Sequence, residues 1–278
     1  MTEESNTIRQ AQSPETHQWL GRFLLHSPNF LRALRGFPLV GQAIHKLSHR
    51  LVRKDEKVWA QVQQGPARGL WLELNPRTGQ NYLRGEVESA TQSILQERLR
   101  PGQFFYDLGA NIGLFSLLAA RIVGPAGKVF SFEPDPEVAA RLKRNVDRNG
   151  FTNVTIVQAG VWSTSGRRIF QPASVSSPDR GLGKFASDED AVDGVALECV
   201  ALDDFTASEP PSDAIKCDVE GAEVEVLRGA EQLLRTRRPW IVCEIHSEAN
   251  GRCVRELLGR AGYRVHSLDE SHIMAAPN

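Results

Sequence analysis

The chain has 278 residues, of which 41% are hydrophobic and 24% are charged, a balance that is ordinary for a globular protein and argues against disorder. The 33 Lys and Arg residues nearly equal the 34 Asp and Glu residues in number, so the net charge gives no argument for a nucleic-acid partner. No apolar run approaches the roughly 20 residues of a transmembrane helix, the N-terminus is polar and acidic, and the four cysteines lack CxxC spacing. These features predict a cytoplasmic protein with reduced thiols and no transmembrane segment.

Residues 1–80 are expected to form an N-terminal extension. Between Leu20 and Val52, apolar residues at helical spacing alternate with arginines and lysines. Such a basic amphipathic segment either rests on a membrane or an anionic lipid substrate, or packs on the main domain as a helical cap with a solvated basic face. In residues 58–76, alternating apolar residues flank a glycine-containing turn, which predicts a β-hairpin.

Residues 81–278 are expected to form the main domain. A helix over residues 81–99 precedes a series of short apolar strands separated by helices. This pattern predicts an α/β fold: a doubly wound, Rossmann-like, mostly parallel sheet of seven strands with an antiparallel closing strand. The predicted strands are 104–108, 128–133, 154–158, 214–218, 240–245, 263–267 and 272–275, and the predicted helices are 114–122, 137–149, 222–235 and 251–261.

The connection between the third and fourth of these strands, residues 161–203, is unusually long. GVWSTSGRRIFQP predicts a hairpin around Ser165 and Gly166, and VALECVALDDF regains strand character after a polar stretch. Long loops inside compact domains are more often functional than accidental. We therefore interpret this insertion as a lid over the site.

A glycine-punctuated turn, YDLGANIGLFSLLAA, links the first strand of this series to its helix. Asp107, Gly109, Asn111 and Gly113 lie where small residues let the backbone approach a ligand and where helix N–H groups lack partners. Glu133 ends the next strand, and an acid there can accept hydrogen bonds from two ribose hydroxyls.

Two cofactors fit this outline. A dinucleotide loop needs G-x-G-x-x-G, whereas Asn111 occupies its close-approach position here and Asp107 would repel a pyrophosphate. S-adenosylmethionine (SAM) has no phosphate, and its ammonium and carboxylate groups suit Asp107 and the amide of Asn111. The residues favour SAM over NAD and leave a third reading open, a tight turn without a ligand.

Several motifs in the same order resemble the FkbM-type family of SAM-dependent methyltransferases. The resemblance covers residues 85–246 and implies a class I methyltransferase fold that methylates a hydroxyl oxygen of a sugar, polyketide or glycolipid. The motifs are FYDLGANIGLFSLLAA, FSFEPDP, the LDDF at 202–205, AIKCDVEGAEVEVLRGA at 214–230, and a G-x-x-E element that ends at Glu88.

The resemblance also implies roles for individual residues. Asp107, Gly109, Asn111 and Gly113 would hold the methionine part of SAM, and Glu133 its ribose. Pro134 would shape the following turn, Gly160 and Val161 would lie near the adenine, and Glu88 and Asp218 would complete the cofactor site. No aspartate stands beside Gly160, where many class I enzymes have one, so the residue that reads the adenine amino group is not identified.

Acidic residues follow two neighbouring strands of the predicted sheet. Asp218 and Glu220 follow one strand, and Glu244 and His246 follow the next. An alcohol needs a base or a Lewis acid to become a nucleophile, so these residues are the catalytic candidates. With Asp218, Glu220 and Glu244 as ligands, they could also bind a divalent metal.

Each of these residues also has a structural interpretation. Asp218 or Glu220 could cap the following helix, and His246 could be an ordinary hydrogen-bonded loop residue. His266 and His272 are expected on the surface of the closing strands. At least one of Glu223 and Glu225 is expected to face solvent or to pair with Arg228.

The sequence therefore predicts a SAM-dependent O-methyltransferase that acts on a hydroxyl group of a small molecule or glycoconjugate. The alternatives are an N- or C-methyltransferase of the same fold, an NAD-dependent oxidoreductase and an inactive cofactor-binding scaffold; the sequence lacks the N/D-P-P-Y/F signature of many amino-group methyltransferases. A homo-oligomer is compatible with the sequence. Polar candidates for the acceptor pocket are Tyr82, Asp179, Arg180 and Lys184.

Overall fold

The computed structural model describes residues 56–172, 183–185 and 194–278. The basic amphipathic segment and the acceptor candidates Asp179 and Arg180 lie outside these residues. The strands are β1 (Val58–Gln61), β2 (Trp71–Leu74), β3 (Phe104–Leu108), β4 (Lys128–Phe132), β5 (Val154–Val157), β6 (Gly160–Val161), β7 (Gly166–Gln171), β8 (Lys184–Phe185), β9 (Val195–Val200), β10 (Ala214–Cys217), β11 (Trp240–Glu244), β12 (Tyr263–Ser267) and β13 (His272–Pro277). The helices are α1 (Gln80–Arg84), α2 (Ser89–Arg98), α3 (Leu114–Val123), α4 (Pro136–Asn149), α5 (Leu202–Phe205), α6 (Glu223–Arg228), α7 (Glu231–Thr236) and α8 (Glu248–Arg260).

A seven-stranded sheet in the order β5-β4-β3-β10-β11-β13-β12 forms the centre of the molecule. The first five strands in this order run parallel, and β13 runs antiparallel to both of its neighbours. This confirms the predicted class I, doubly wound fold with its antiparallel closing strand. The strand order reverses between β3 and β10, and ligands of such sheets bind at that point, outside the carboxyl ends of the strands.

Both faces of this sheet are covered. Leu117, Leu142 and the hairpin residue Leu72 belong to the hydrophobic cluster on one face, and Leu227 and Leu258 belong to the cluster on the other face. Successive side chains of a strand point to opposite faces, which is why strands with two buried faces are apolar at nearly every position. Among the described residues, no helix is long and apolar enough to cross a bilayer.

The predicted hairpin of β1 and β2 is confirmed and is fixed to α4. The side-chain oxygens of Asn145 and Asn149 accept hydrogen bonds from the backbone N–H groups of Glu73 (2.8 Å) and Trp71 (2.9 Å). The hairpin shares a hydrophobic cluster with the main sheet. The division of the chain into two parts at residue 80 stays a prediction.

Two predicted helices are each interrupted. The helix expected over 81–99 is split into α1 and α2 at Gly85, whose Cα lies so close to the Gln64 carbonyl that a Cβ would come within 2.2 Å of its oxygen. The helix expected over 222–235 is split into α6 and α7, because the side chain of Asp203 accepts hydrogen bonds from the N–H groups of Gln232 and Leu233, both at 2.9 Å. These contacts come from distant segments, so local periodicity could not predict them.

The insertion forms a second sheet in the order β6-β9-β7-β8. The hairpin predicted around Ser165 and Gly166 is wrong, since β6 pairs in parallel with β9, and β7 pairs with the other edge of β9. The Ser165 hydroxyl makes hydrogen bonds with the Asp204 carboxylate (2.5 Å) and the Ala201 N–H (3.0 Å), so this turn is tied to the far end of β9 instead of folding β6 onto β7.

Candidate active site

A cavity of about 240 Å³ lies at the carboxyl ends of β3, β4 and β10. Most predicted site residues line it: Gly109, Asn111, Glu133, Pro134, Gly160, Val161, Asp218, Glu220, Glu244 and His246. Of the acceptor candidates, Tyr82 lines it as well. Asp107, Gly113, Glu88 and Lys184 are not among its lining residues.

The glycine spacing of the loop after β3 follows from packing between elements. Gly109 has φ +76, and a Cβ there would lie 1.8 Å from the backbone oxygen of Asp218. Gly113 has φ +89, and a Cβ there would lie 2.2 Å from Leu142. Asn111 has φ 49, a left-handed conformation that asparagine tolerates better than most residues.

Glu133 is buried against this loop, with 5% of its surface exposed. Its two carboxylate oxygens accept hydrogen bonds from the N–H groups of Asn111 (2.9 Å) and Asp135 (3.0 Å). Burial raises the pKa of Glu133 to about 7, against the opposing effect of these hydrogen bonds. Each oxygen keeps a second lone pair, so the carboxylate can still accept hydrogen bonds from a ligand in the cavity.

An apolar slot forms the other side of the cavity. Its walls include Phe132, Val161, Phe170 and Phe185, and the Phe185 ring lies so close to Gly160 that a Cβ there would come within 2.3 Å of it. Apolar walls of this kind suit a purine ring. No local pattern pointed to Phe170 and Phe185, because they reach the site only through the folding of the insertion.

Asp107 is fully buried behind the loop. One oxygen of its carboxylate accepts a hydrogen bond from the Ser116 hydroxyl at 2.5 Å, and the other is buried without a hydrogen bond. Burial raises the pKa of Asp107 above its usual value, against the opposing effect of the Lys216 ammonium. The cation beside Asp107 in this structure is therefore a lysine of the chain itself.

Lys216 is a site residue that the sequence reasoning missed. Its ammonium is almost completely buried, donates a hydrogen bond to Asp218 Oδ2 at 2.9 Å and lies 3.8 Å from Glu88 Oε1. Burial lowers the pKa of Lys216, but the carboxylates of Asp218, Glu88 and Asp107 outweigh burial and raise it well above its usual value. The lysine in the otherwise apolar strand AIKC could have indicated this role, because a charge inside a buried strand rarely occurs without a charged partner.

His246 is held by Glu223, a second residue that the sequence reasoning missed. Its Nδ1 lies 2.6 Å from Glu223 Oε1, and the fully buried Glu223 carboxylate also accepts hydrogen bonds from the Gly221 N–H (2.9 Å) and the Asn250 amide (2.6 Å). The hydrogen bond with Glu223 raises the pKa of His246 to about 9, above the value near neutrality that an isolated histidine has.

The other ring nitrogen of His246 faces the acidic residues of the cavity. Its Nε2 lies 3.6 Å from Asp218 Oδ1 and 3.4 Å from Glu220 Oε2.

Neither Asp218 nor Glu220 caps α6, which has Ala222 at its N-cap position and no side-chain cap. The expectation that at least one of Glu223 and Glu225 faces solvent or pairs with Arg228 is confirmed by the ion pair of Glu225 with Arg228.

His272 is not the surface residue that the sequence predicted, since it is 7% exposed. Its Nδ1 lies 2.8 Å from Asp269 Oδ1, and its Nε2 lies 3.3 Å from Glu88 Oε2 and 3.7 Å from Glu244 Oε2. The reason is the sheet order, which pairs His272 on β13 directly with Glu244 on β11. His266, on the edge strand β12, is exposed as predicted.

Three residues of this region have a strained backbone. Glu88 (φ 41), Asn111 (φ 49) and Glu220 (φ 51) are in the left-handed region, which in the described part of the chain is shared by just one other non-glycine residue, Arg238. Such strain persists where the surrounding structure enforces it, and it clusters at functional sites.

Two groups of potential metal ligands share Glu244. Asp218, Glu244 and His246 form one group, and Glu88, Glu244 and His272 form the other, with ligand atoms within 4.8 Å of one another in each. Of the metal ligands predicted from the sequence, Asp218 and Glu244 are in one group, and Glu220 is in neither.

Comparison with known proteins identifies the family. Residues 107–265 match the family described as methyltransferase FkbM domain. The chain is 32% identical over 215 residues to the 31-O-demethyl-FK506 methyltransferase FkbM of Streptomyces tacrolimicus, covering 67% of this chain and 77% of the relative. It is 30% identical over 181 residues to the hexuronic acid methyltransferase AglP of Haloferax volcanii, covering 64% and 70%.

Among solved structures, the methyltransferase FkbM of Methylobacillus flagellatus is similar over 69% of this chain and 54% of its own, with a TM-score of 0.45 and 17% identity. The family match spans more than half of the chain and includes the loop after β3, Glu133 and the acidic residues after β10 and β11. The chain therefore belongs to the FkbM methyltransferase family and uses SAM as its methyl donor.

Proposed function

We propose that the chain transfers a methyl group to a hydroxyl oxygen of a small molecule or glycoconjugate. The observation that carries this proposal is one cavity lined both by the cofactor loop, with Gly109 and Asn111, and by Asp218, Glu220 and His246. The names of the two relatives support it, since one is a hexuronic acid methyltransferase and the other acts on 31-O-demethyl-FK506. Membership of the family excludes the NAD-dependent oxidoreductase alternative.

The residues around the cavity fit SAM, which supplies a methyl group made electrophilic by its sulfonium. In our proposal, Glu133 accepts hydrogen bonds from the ribose hydroxyls, and the slot beside Gly160 and Val161 takes the adenine. Gly109 and Asn111 hold the amino-acid end. Pro134 shapes the turn after Glu133 at the cavity wall, and Gly113, Asp107 and Glu88 support these contacts from behind the lining residues.

His246 is the base in this proposal. Glu223 fixes its Nδ1, so that Nε2 faces the cavity. The neutral ring, which the raised pKa of about 9 makes the minor form at neutral pH, takes the proton of the acceptor hydroxyl. This division of roles is that of the histidine–carboxylate pair in hydrolases, in which the acid orients the ring and stabilises its charged form. Burial opposes ionisation of Asp218, but Lys216 keeps its pKa below the usual value, so Asp218 stays charged beside the imidazolium.

The test separates transfer from cofactor binding. We expect His246→Gln and Asp218→Asn each to lower kcat by about 10²- to 10⁴-fold, the usual range for loss of general acid–base catalysis, while affinity for S-adenosylhomocysteine (SAH) changes by no more than a few fold. His266→Gln is the matched control, because this histidine is exposed on β12, and it should leave both quantities unchanged.

Acceptor chemistry is measured with a panel of sugar, hexuronic acid and macrolide alcohols and their amine analogues. Transfer to amines but not to alcohols would replace O-methylation with the N-methyltransferase alternative. SAH binding without transfer to any acceptor would favour the inactive scaffold. Tyr82 as an acceptor contact, the insertion as a lid, the homo-oligomer and the cytoplasmic location stay predictions.

A further inference from the structure

His272 has a buried nitrogen without a hydrogen bond. The residue is 7% exposed, its Nδ1 is held by Asp269, and its Nε2 is buried and makes no hydrogen bond. Glu88 Oε2 is also buried without a hydrogen bond, and it lies 3.3 Å from His272 Nε2. The fold therefore aims two polar atoms at each other from the turn before α2 and from β13, and they form an ion pair only when the ring is protonated.

Glu244 completes this group from β11, with its Oε2 3.7 Å from His272 Nε2. Ligand atoms about 2.1 Å from a tetrahedral cation are about 3.4 Å from one another, which is close to both separations. The Nδ1 contact with Asp269 is the arrangement that orients metal-binding histidines, in which a carboxylate holds the ring nitrogen that does not bind the metal.

The other potential ligand group is less suited to a cation. Asp218 already binds the ammonium of Lys216 at 2.9 Å, and His246 Nδ1 is held by Glu223 within the arrangement assigned to catalysis. Glu88 meets Lys216 through Oε1, at 3.8 Å, and its Oε2 faces His272. Burial lowers the pKa of His272, but the facing carboxylates of Glu88, Asp269 and Glu244 raise it to about 9, so a bound cation replaces the proton of the ring. Two carboxylates and the neutral imidazole then carry two negative charges, matching a divalent cation.

We propose that Glu88, Glu244 and His272 bind one divalent transition-metal cation, such as Zn²⁺ or Mn²⁺, at the wall of the active-site cavity. One nitrogen and two carboxylate oxygens suit these ions better than Ca²⁺ or Mg²⁺, which prefer oxygen ligands alone. Three protein ligands leave a coordination position for water or an acceptor oxygen, and Glu244 is the ligand that lines the cavity.

The test measures binding of the metal alone to the full chain, without SAM or acceptor. Metal-free protein is titrated with ZnCl₂ by calorimetry and with MnCl₂ by electron paramagnetic resonance. Because metal bound elsewhere on the chain is common to all variants, the readout is the difference between wild type and variant. We expect His272→Gln and Glu88→Gln to lose one equivalent of metal, and Asp269→Asn to weaken its binding by about 10- to 100-fold.

His246→Gln is the matched control, since this histidine also has a carboxylate behind it and shares Glu244 with its own ligand group. It should retain the metal. Circular dichroism and thermal unfolding establish that each variant is folded. Glu88→Gln, whose side chain has nearly the same shape as glutamate, replaces His272→Gln if the latter does not fold.

Equal metal content in wild type, His272→Gln and Glu88→Gln would overturn the proposal and leave His272 as the cationic partner of Glu88. Loss of the metal in His246→Gln with retention in His272→Gln would overturn it in favour of the other ligand group. Because no methyl transfer is measured, failure of the proposed O-methylation would leave this result unaffected.

Discussion

Lys216 illustrates how single side chains hold this site together. Its ammonium is buried among the carboxylates of Asp218, Glu88 and Asp107 and lies 4.7 Å from the centre of the Phe115 ring. A buried charge of this kind is stable only while its partners remain, because removal of one partner leaves the others without compensation.

We expect Lys216→Met to lower the free energy of unfolding by about 3–5 kcal/mol, the usual cost of breaking a buried ion pair. The measurement is urea denaturation at neutral pH. Lys143→Met is the control, since Lys143 pairs with Asp147 on the exposed face of α4 and such pairs contribute less than about 1 kcal/mol. Equal losses of stability in the two variants would show that the buried carboxylates do not depend on Lys216.

Glu133 leads to a prediction about pH. Burial raises its pKa in the folded protein to about 7 from the ordinary 4.5, so the folded state holds a proton that the unfolded state releases between these values. The contribution of Glu133 to stability therefore falls as pH rises from about 4.5 to about 7 and stays low above that range. Only the ionised carboxylate accepts hydrogen bonds from both ribose hydroxyls, so we expect SAH affinity to rise as pH rises through about 7.

Calorimetric titration with SAH at several pH values between about 6 and 8 tests this expectation. Glu133→Gln should bind SAH weakly and should lose the pH dependence, whereas Glu137→Gln, an exposed change on α4, should behave as the wild type does. If Glu133→Gln showed the same pH dependence of SAH affinity as the wild type, another titrating group would be responsible for it.

At the level of elements, the loops after neighbouring strands are fitted to each other. The loop after β3 touches the backbone that follows β10 at Gly109, where a Cβ would lie 1.8 Å from the Asp218 oxygen. Asp218 is thus positioned partly by a glycine of the loop after β3. Glycine is needed there for two reasons: its φ is positive and the facing atom is backbone, which cannot move aside as a flexible side chain can.

We expect Gly109→Ala to displace the Asp218 backbone, to lower stability by about 1–3 kcal/mol beyond the cost of the positive φ, and to reduce methyl transfer. Gly102→Ala is the matched control, because Gly102 has φ +82 and no atom within 4 Å of its Cβ position. Thermal unfolding of both variants separates backbone strain from the clash. Equal losses of stability in Gly109→Ala and Gly102→Ala would mean that the close contact with Asp218 adds nothing to the cost of the positive φ.

At the level of the whole molecule, the charged site is assembled from segments far apart in the chain. Glu88 comes from the turn before α2, Lys216 and Asp218 from β10 and its end, and Glu244 and His272 from β11 and β13. The pairing of β10 with β11 brings Asp218 and Glu244 to one edge of the sheet, and the pairing of β13 with β11 adds His272.

The sequence by itself determined the features that depend on contiguous residues. The loop from Asp107 to Gly113, Glu133 after β4 and the apolar strands with their helices were predicted, because turn chemistry and periodicity act over a few residues. The doubly wound sheet followed from those strands, and the methyltransferase family followed from motifs in a fixed order.

Only the tertiary structure decided which charges meet. Glu223 contacts His246, Lys216 lies among three acids, and His272, which was predicted to be a surface residue of a closing strand, faces Glu88. Pairing between strands joins residues whose separation in the chain carries no local signal. The sequence alone could therefore indicate a methyl donor and an acidic edge, but not the pairing of each histidine with its carboxylate.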